Sequence, residues 1–198
     1  MLFRSAASLY RAQRRGGKGK IGMGIKDEDF VETLFTASTH QTLLFFSDAG
    51  KVYWLKVHEI PEASRAAKGK ALVNLLALAG SEKITATLPV KEFREDQFVV
   101  MATKNGLVKK TELSAYSNPR QGGIIALGLE EGDKLIGVQL TDGRREILLG
   151  TKQGITIRFT EDEVRPMGRT AYGVKGITLE EGNEVIGDRK STRLNSSH

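Results

Sequence analysis

Leu129-Glu130-Glu131-Gly132-Asp133-Lys134-Leu135-Ile136-Gly137 returns fifty residues later as Leu179-Glu180-Glu181-Gly182-Asn183-Glu184-Val185-Ile186-Gly187, with six of the nine positions identical. Upstream of each copy lies a glycine turn between strand-like residues, Lys104-Asn105-Gly106-Leu107-Val108-Lys109 in one and Lys152-Gln153-Gly154-Ile155-Thr156-Ile157 in the other. Asp48-Ala49-Gly50-Lys51-Val52-Tyr53 is an earlier copy of the same turn. A third element is an arginine followed by a glycine: Arg15 with Gly19, Arg65 with Gly69, Arg120 with Gly123 and Arg169 with Gly173. These arginines are 50, 55 and 49 residues apart. A period near 50 signals a propeller, solenoid or array in which each repeat buries its face against a neighbour.

The segments inside a repeat are short, β-branched or aromatic, and bounded by Gly or Asn: Gln41 to Phe46, Lys51 to Val57, Phe98 to Thr103, Leu107 to Thr111, Glu146 to Leu149 and Ile155 to Phe159. Tight Asn105-Gly106 and Gln153-Gly154 turns between such runs read as β-hairpins. Long amphipathic helical windows are missing, so the fold class is all-β with propeller-like blades. The blades divide as residues 1–40 (partial), 41–92, 93–143 and 144–187. Tyr53, Trp54, Phe98 and Phe159 are assigned to blade cores, as are Tyr10, Ile60 and Val164, which each precede an arginine by five residues. Residues 188–198 abandon the repeat and are expected to be a disordered, non-native tail.

Of 198 residues, 30 are Lys or Arg and 24 are Asp or Glu, a net charge of +6. Arg4, Arg11, Arg14, Arg15, Lys18 and Lys20 fall in the first 20 residues with no acid among them, whereas residues 21–187 carry 21 basic and 23 acidic side chains. The acid-free start has the composition of an organelle transit peptide. It runs unbroken into the repeat, however, which a removable presequence would not share. No apolar run reaches the ~18 residues that a membrane-spanning helix needs, and no membrane partner is expected. The absence of cysteine removes disulfides, thiolate catalysis and sulfur-ligated zinc, and is compatible with the cytoplasm. The three histidines, His40, His58 and His198, are scattered without partner spacing, and neither a zinc site nor a Ser-His-Asp triad is expected.

Gln13-Arg14-Arg15-Gly16-Gly17-Lys18-Gly19-Lys20 sets four cations among glycines that let the backbone approach a ligand. Arginine forks and lysine point charges suit phosphate oxygens, and Gln13 can bond sugar or phosphate. Gly17, Gly19 and Gly22 also match a dinucleotide-binding pattern, but the acidic Lys26-Asp27-Glu28-Asp29 stands where an apolar helix should follow. Asp27-Glu28-Asp29 and Glu161-Asp162-Glu163 are read as solvated turn acids rather than a metal site. Later repeats keep part of the basic signature in Arg65, Lys68 and Lys70, in Lys109, Lys110 and Arg120, and in Arg165, Arg169 and Lys175. Set at one place on each blade, these form a discontinuous track suited to a bent duplex, with affinity from counterion release.

Gln13 to Gly19, QRRGGKG, is identical to the seven-residue box that marks the C-terminal domain of DNA gyrase A, and the chain resembles that domain. Asn118-Pro119-Arg120, Gly123-Ile124-Ile125-Ala126 and Gly173-Val174-Lys175-Gly176-Ile177 extend the resemblance. It implies a β-pinwheel on which DNA wraps so that strand passage introduces negative supercoils, with the box residues essential to wrapping. It also implies double-stranded DNA, the rest of gyrase A and gyrase B of the heterotetramer as partners. ATP and Mg²⁺ belong to the whole enzyme, with no cofactor in this chain, and the setting is the bacterial cytoplasm or an organelle. The family domain has six blades, so this chain is expected to form an incomplete ring of about four, with an unpaired strand edge. No catalytic tyrosine directly follows an arginine, so DNA cleavage is not expected. Two alternatives share the blades: the corresponding domain of topoisomerase IV, whose box is degenerate, and a protein-interaction scaffold.

Overall fold

The hairpins expected at Gly50, Gly106 and Gly154 all form, each closed by a glycine with φ of 72°, 84° and 83° respectively. That left-handed conformation is open to glycine at little cost and strains other residues, which is why the turns recur as x-Gly. The computed structural model describes residues 2–10, 12–19, 34–64 and 69–191, the last four as backbone only. β1 (Thr42–Ser47) and β2 (Lys51–Lys56) form the first hairpin, and β3 (Ile84–Val90) lies on the far side of β1. β4 (Phe98–Thr103) and β5 (Leu107–Glu112) form the second. From there the chain reaches back as β6 (Ile124–Ile125) to pair with β2, then returns as β7 (Leu135–Thr141) onto β4. The third repeat of the pattern pairs β8 (Glu146–Thr151) with β9 (Thr156–Thr160), sends β10 (Val174–Lys175) back to β5, and lays β11 (Val185–Ser191) on β8.

The sheets are therefore β3-β1-β2-β6, β10-β5-β4-β7 and β11-β8-β9, all antiparallel. Contiguous spans of sequence do not coincide with blades, because each of the first two sheets borrows its outer strand from the following repeat. The three-stranded sheet leaves β9 as an outer strand with no further sheet partner among the described residues, the open edge expected of an incomplete ring.

Side-chain alternation explains the stacking. Leu44 and Phe46 of β1 join Val99 and Met101 of β4 in one core, while Leu43 and Phe45 turn the other way into a second with Tyr53, Ile60 and Leu76. Val100 and Ala102 of β4 face Ile147 and Leu149 of β8 in a third. Strands such as β1 and β4 are covered on both faces, so their sequences read as continuous apolar runs.

Three expectations are corrected. The tail does not leave the fold at residue 187: β11 continues through Ser191, its backbone pairing Asp188 with Leu149 and Ser191 with Glu146. Main-chain pairing needs only the free edge of β8, not a repeat-like sequence; residues 192–198 lie outside the described residues. Tyr10 is exposed and meets Ser5 Oγ at 3.0 Å through its hydroxyl, whereas Ile60 and Val164 are buried. Among the described residues of the first repeat, the pairing before Tyr10 consists of single-residue bridges, Leu2 with Lys70 and Arg4 with Glu62, and Tyr10 belongs to no strand. Glu161, assigned to a solvated turn, is fully buried; it accepts hydrogen bonds from Thr141 Oγ1 at 2.5 Å and the Arg145 amide at 3.2 Å. Among the described residues no helix is long and apolar enough to cross a membrane.

Candidate nucleic-acid interface

The segments that reach back to the preceding blade act as straps, and their glycines show how closely they lie. Gly69, Gly123 and Gly173 have φ of 71°, 71° and 108°. A Cβ at Gly123 would stand 2.7 Å from the Tyr53 ring, at Gly173 2.7 Å from the Val108 carbonyl oxygen, and at Gly69 2.9 Å from the Leu2 carbonyl oxygen. Only glycine supplies both the dihedral and the clearance.

Arg120 and Lys175 are exposed on their straps, Arg165 is exposed just before the third strap, and Lys70 is exposed after Gly69. Arg169 is half-buried, its guanidinium reaching the Ile125 carbonyl at 3.5 Å. These residues lie on or beside the straps of successive repeats. Arg65, Lys68 and Lys20 lie outside the described residues.

Lys109 and Lys110 do not belong to that track. Both are buried on β5. Lys109 Nζ donates to the Ala126 carbonyl at 2.8 Å and to the Arg169 carbonyl. Burial, with Arg169 adding to it, pushes this amine down to about 7. Lys110 Nζ donates to the Glu161 carbonyl at 2.9 Å and lies 5.3 Å from the centre of the Phe98 ring. Strand β5 is packed on both faces, so neither lysine can turn to solvent. The signal was present in the register: counted from the hairpin glycines, Lys109 aligns with Tyr53 and Ile157, and Lys110 with Trp54 and Arg158.

The second of these columns performs a task that composition does not reveal. Arg4, 50 residues before Trp54, holds this position in the first repeat; its Nε donates to the Ile60 carbonyl, Trp54 Nε1 to the Tyr116 carbonyl and Lys110 Nζ to the Glu161 carbonyl, each at 2.9 Å. In every case the acceptor is the main chain at a 3₁₀ turn or its end in the next repeat, so one side chain per junction latches consecutive blades. Arg158, the fourth in the column, is largely exposed and has Glu146 Oε2 at 3.6 Å.

In the Gln13 to Gly19 loop the glycine amide of residue 17 donates to the Arg14 carbonyl at 3.0 Å, closing a turn that Gly16 completes with φ of 86°. The Gln13 carboxamide spans the loop: its Oε1 accepts from the Gly19 amide at 3.0 Å and its Nε2 donates to the Gly19 carbonyl at 3.4 Å. A Cβ on Gly17 would stand 2.8 Å from that Oε1. Gln13 therefore organises the loop through its carboxamide. Gly16, Gly17 and Gly19 admit the loop's tight path, and Arg14, Arg15 and Lys18 point outward, exposed and with no ion pair among the described residues.

The model of the DNA gyrase C-terminal domain, β-propeller, matches residues 1–38, 41–91, 97–142 and 145–187, one segment per repeat. The chain belongs to that family. It is 52% identical over 185 residues to the DNA gyrase A protein of Haemophilus influenzae, covering 93% of this chain and 21% of that protein. With its Escherichia coli counterpart it shares 51% identity over 179 residues, covering 90% and 20% respectively. The chain thus spans about a fifth of the length of the curated relatives it matches. Among solved structures, the C-terminal domain of DNA topoisomerase IV superposes with a TM-score of 0.79 at 31% identity, covering 86% of this chain and 53% of that one. The DNA gyrase A C-terminal domain superposes at 0.73 with 24% identity, covering 96% and 61%, a likeness of fold.

Proposed function

We propose that this chain is a sequence-nonspecific DNA-binding and wrapping segment of a gyrase, steering strand passage toward negative supercoiling. The observation that carries this reading is the Gln13 to Gly19 loop, whose internal hydrogen bonds use Gln13 and its glycines while Arg14, Arg15 and Lys18 face solvent. Exposed Lys70, Arg120, Arg165 and Lys175, with half-buried Arg169, continue the positive charge along later straps. Such an array holds phosphates without reading bases, and bending the duplex across successive blades adds contacts. Chemistry, with its ATP and Mg²⁺, falls in this reading to the remainder of gyrase A and to gyrase B, the chain's partners besides double-stranded DNA. The family membership and the intact box support gyrase over topoisomerase IV and over a protein scaffold.

The test is duplex affinity as a function of salt. Replacing Arg14, Arg15 and Lys18 by Ala is expected to lower the log–log salt slope by about 3, one unit per lost phosphate contact, with melting temperature unchanged. Nicked circular plasmid ligated in the presence of the chain should show a linking-number shift. An affinity flat across salt would overturn the proposal.

A further inference from the structure

We infer that Lys109 is a positioning residue, a pin that holds two consecutive straps at fixed spacing and so sets how Arg120 and Arg169 are presented. The inference rests on the DNA-wrapping reading for its consequence but on geometry for its content. The same strand position is occupied by Tyr53 and Ile157 in the neighbouring hairpins, and in the first repeat by Phe3, next to the bridged Leu2. An apolar or aromatic residue therefore satisfies the packing there. A buried amine costs desolvation that an apolar chain does not, so its presence calls for something an apolar chain cannot do.

What the amine does is join two straps. Its acceptors are the carbonyl of Ala126, on the second sheet's outgoing strap, and the carbonyl of Arg169, at the start of the next. Tyr116 Oη lies 3.5 Å from the same Ala126 oxygen. The two straps also touch directly: the Gly128 amide donates to the Ala171 carbonyl at 3.0 Å, and a Cβ at Gly128 would stand 2.8 Å from the Thr170 oxygen. The Arg169 guanidinium lies against Ile125 of the neighbouring strap. Lys109 thus ties together, from beneath, the main chains whose outer faces carry Arg120 and Arg169, while contacting no solvent.

The test uses the 198-residue chain with Lys109→Phe, the residue type of the first repeat, and Lys109→Met, of similar reach. Phe is accepted at this position elsewhere in the fold, so it keeps the experiment open should Met not fold. Every exposed cation remains, so duplex affinity should stay within about threefold of the parent. The linking-number shift per bound chain should fall about twofold, and amide exchange at Gly128 should quicken about tenfold while Val100 in β4 is unaffected. Unchanged linking number and unchanged Gly128 exchange would overturn the inference, as would equal acceleration at Gly128 and Val100, which marks a general loss of stability. If the parent chain itself gives no linking-number shift, the DNA reading fails instead, and Gly128 exchange still decides whether Lys109 pins the straps.

Discussion

Asp133 and Asn183 stand at the one acidic-to-amide difference in the repeated nonapeptide, and the structure explains why the two are interchangeable. Asp133 Oδ1 accepts from the amides of Asn105 and Lys134 at 2.9 and 2.8 Å, and Asn183 Oδ1 accepts from Gln153 and Glu184 at 3.3 and 2.9 Å. Only one oxygen is used; Asp133 Oδ2 and Asn183 Nδ2 are buried without a hydrogen-bond partner among the described residues. Asp133→Asn should therefore change stability by less than about 1 kcal/mol, whereas Asp133→Ala strands two amides and should cost about 1–3 kcal/mol, both read from urea unfolding. Lys109 offers a residue-scale prediction in pH. Its amine titrates near 7 in the fold and at an ordinary lysine value, about 10.4, when unfolded. Between those limits the unfolded chain binds more protons, so this contribution to stability rises with pH from 7 to 10 and is lost as pH falls to 7. No carboxylate pairs with it among the described residues; Arg169 and Tyr116 are the ionisable neighbours that act at this site. Subtracting Lys109→Met unfolding free energies from those of the parent at pH 7, 8, 9 and 10 should give a difference that climbs with pH. A flat difference would place the amine's titration outside this range.

At the scale of the element, the straps separate two reasons for a glycine. Gly173 combines φ of 108° with a carbonyl 2.7 Å from any added Cβ, whereas Gly19 has φ of 72° with nothing within 4 Å. Gly173→Ala should thus destabilise the chain by about 2–4 kcal/mol, and Gly19→Ala by about 1 kcal/mol from the dihedral alone, measured by thermal and urea unfolding. Equal losses would mean that strap contact adds nothing to the conformational term. The repeating glycines and the hairpin turns made the strands legible in advance, because a left-handed residue leaves its mark on sequence. The strand exchange between repeats left no such mark, since β6 and β10 are two residues each and pair through main chain. The same blindness misplaced Lys109 and Lys110: charge suggested surface, but the two covered faces of β5 leave no outward side. Gln13 is legible in the sequence as part of the loop, but its bonds to Gly19 depend on the turn that brings the two together.

At the scale of the whole molecule, junctions are made by three kinds of contact: apolar faces, a borrowed strap strand, and the latch donated by Arg4, Trp54 or Lys110. On the third sheet the corresponding parts lie open. Among the described residues β9 is an outer strand, Ile155 and Ile157 are 47% and 37% exposed, and Arg158 has no main-chain acceptor of the kind its counterparts have. A strand edge with free amides and carbonyls beside exposed isoleucines is a template for pairing with another chain. The 198-residue chain should accordingly self-associate as its concentration is raised to about 100 μM, in the range where exposed edges drive association. Ile157→Lys adds charge to that edge and should suppress the association without lowering the melting temperature, because Ile157 is not enclosed here. Sedimentation velocity of the two chains across that range checks it. Equal association of parent and variant would assign the contact to another surface, and a monomeric parent would show that the charge of Arg158 and the short length of β9 already protect the edge.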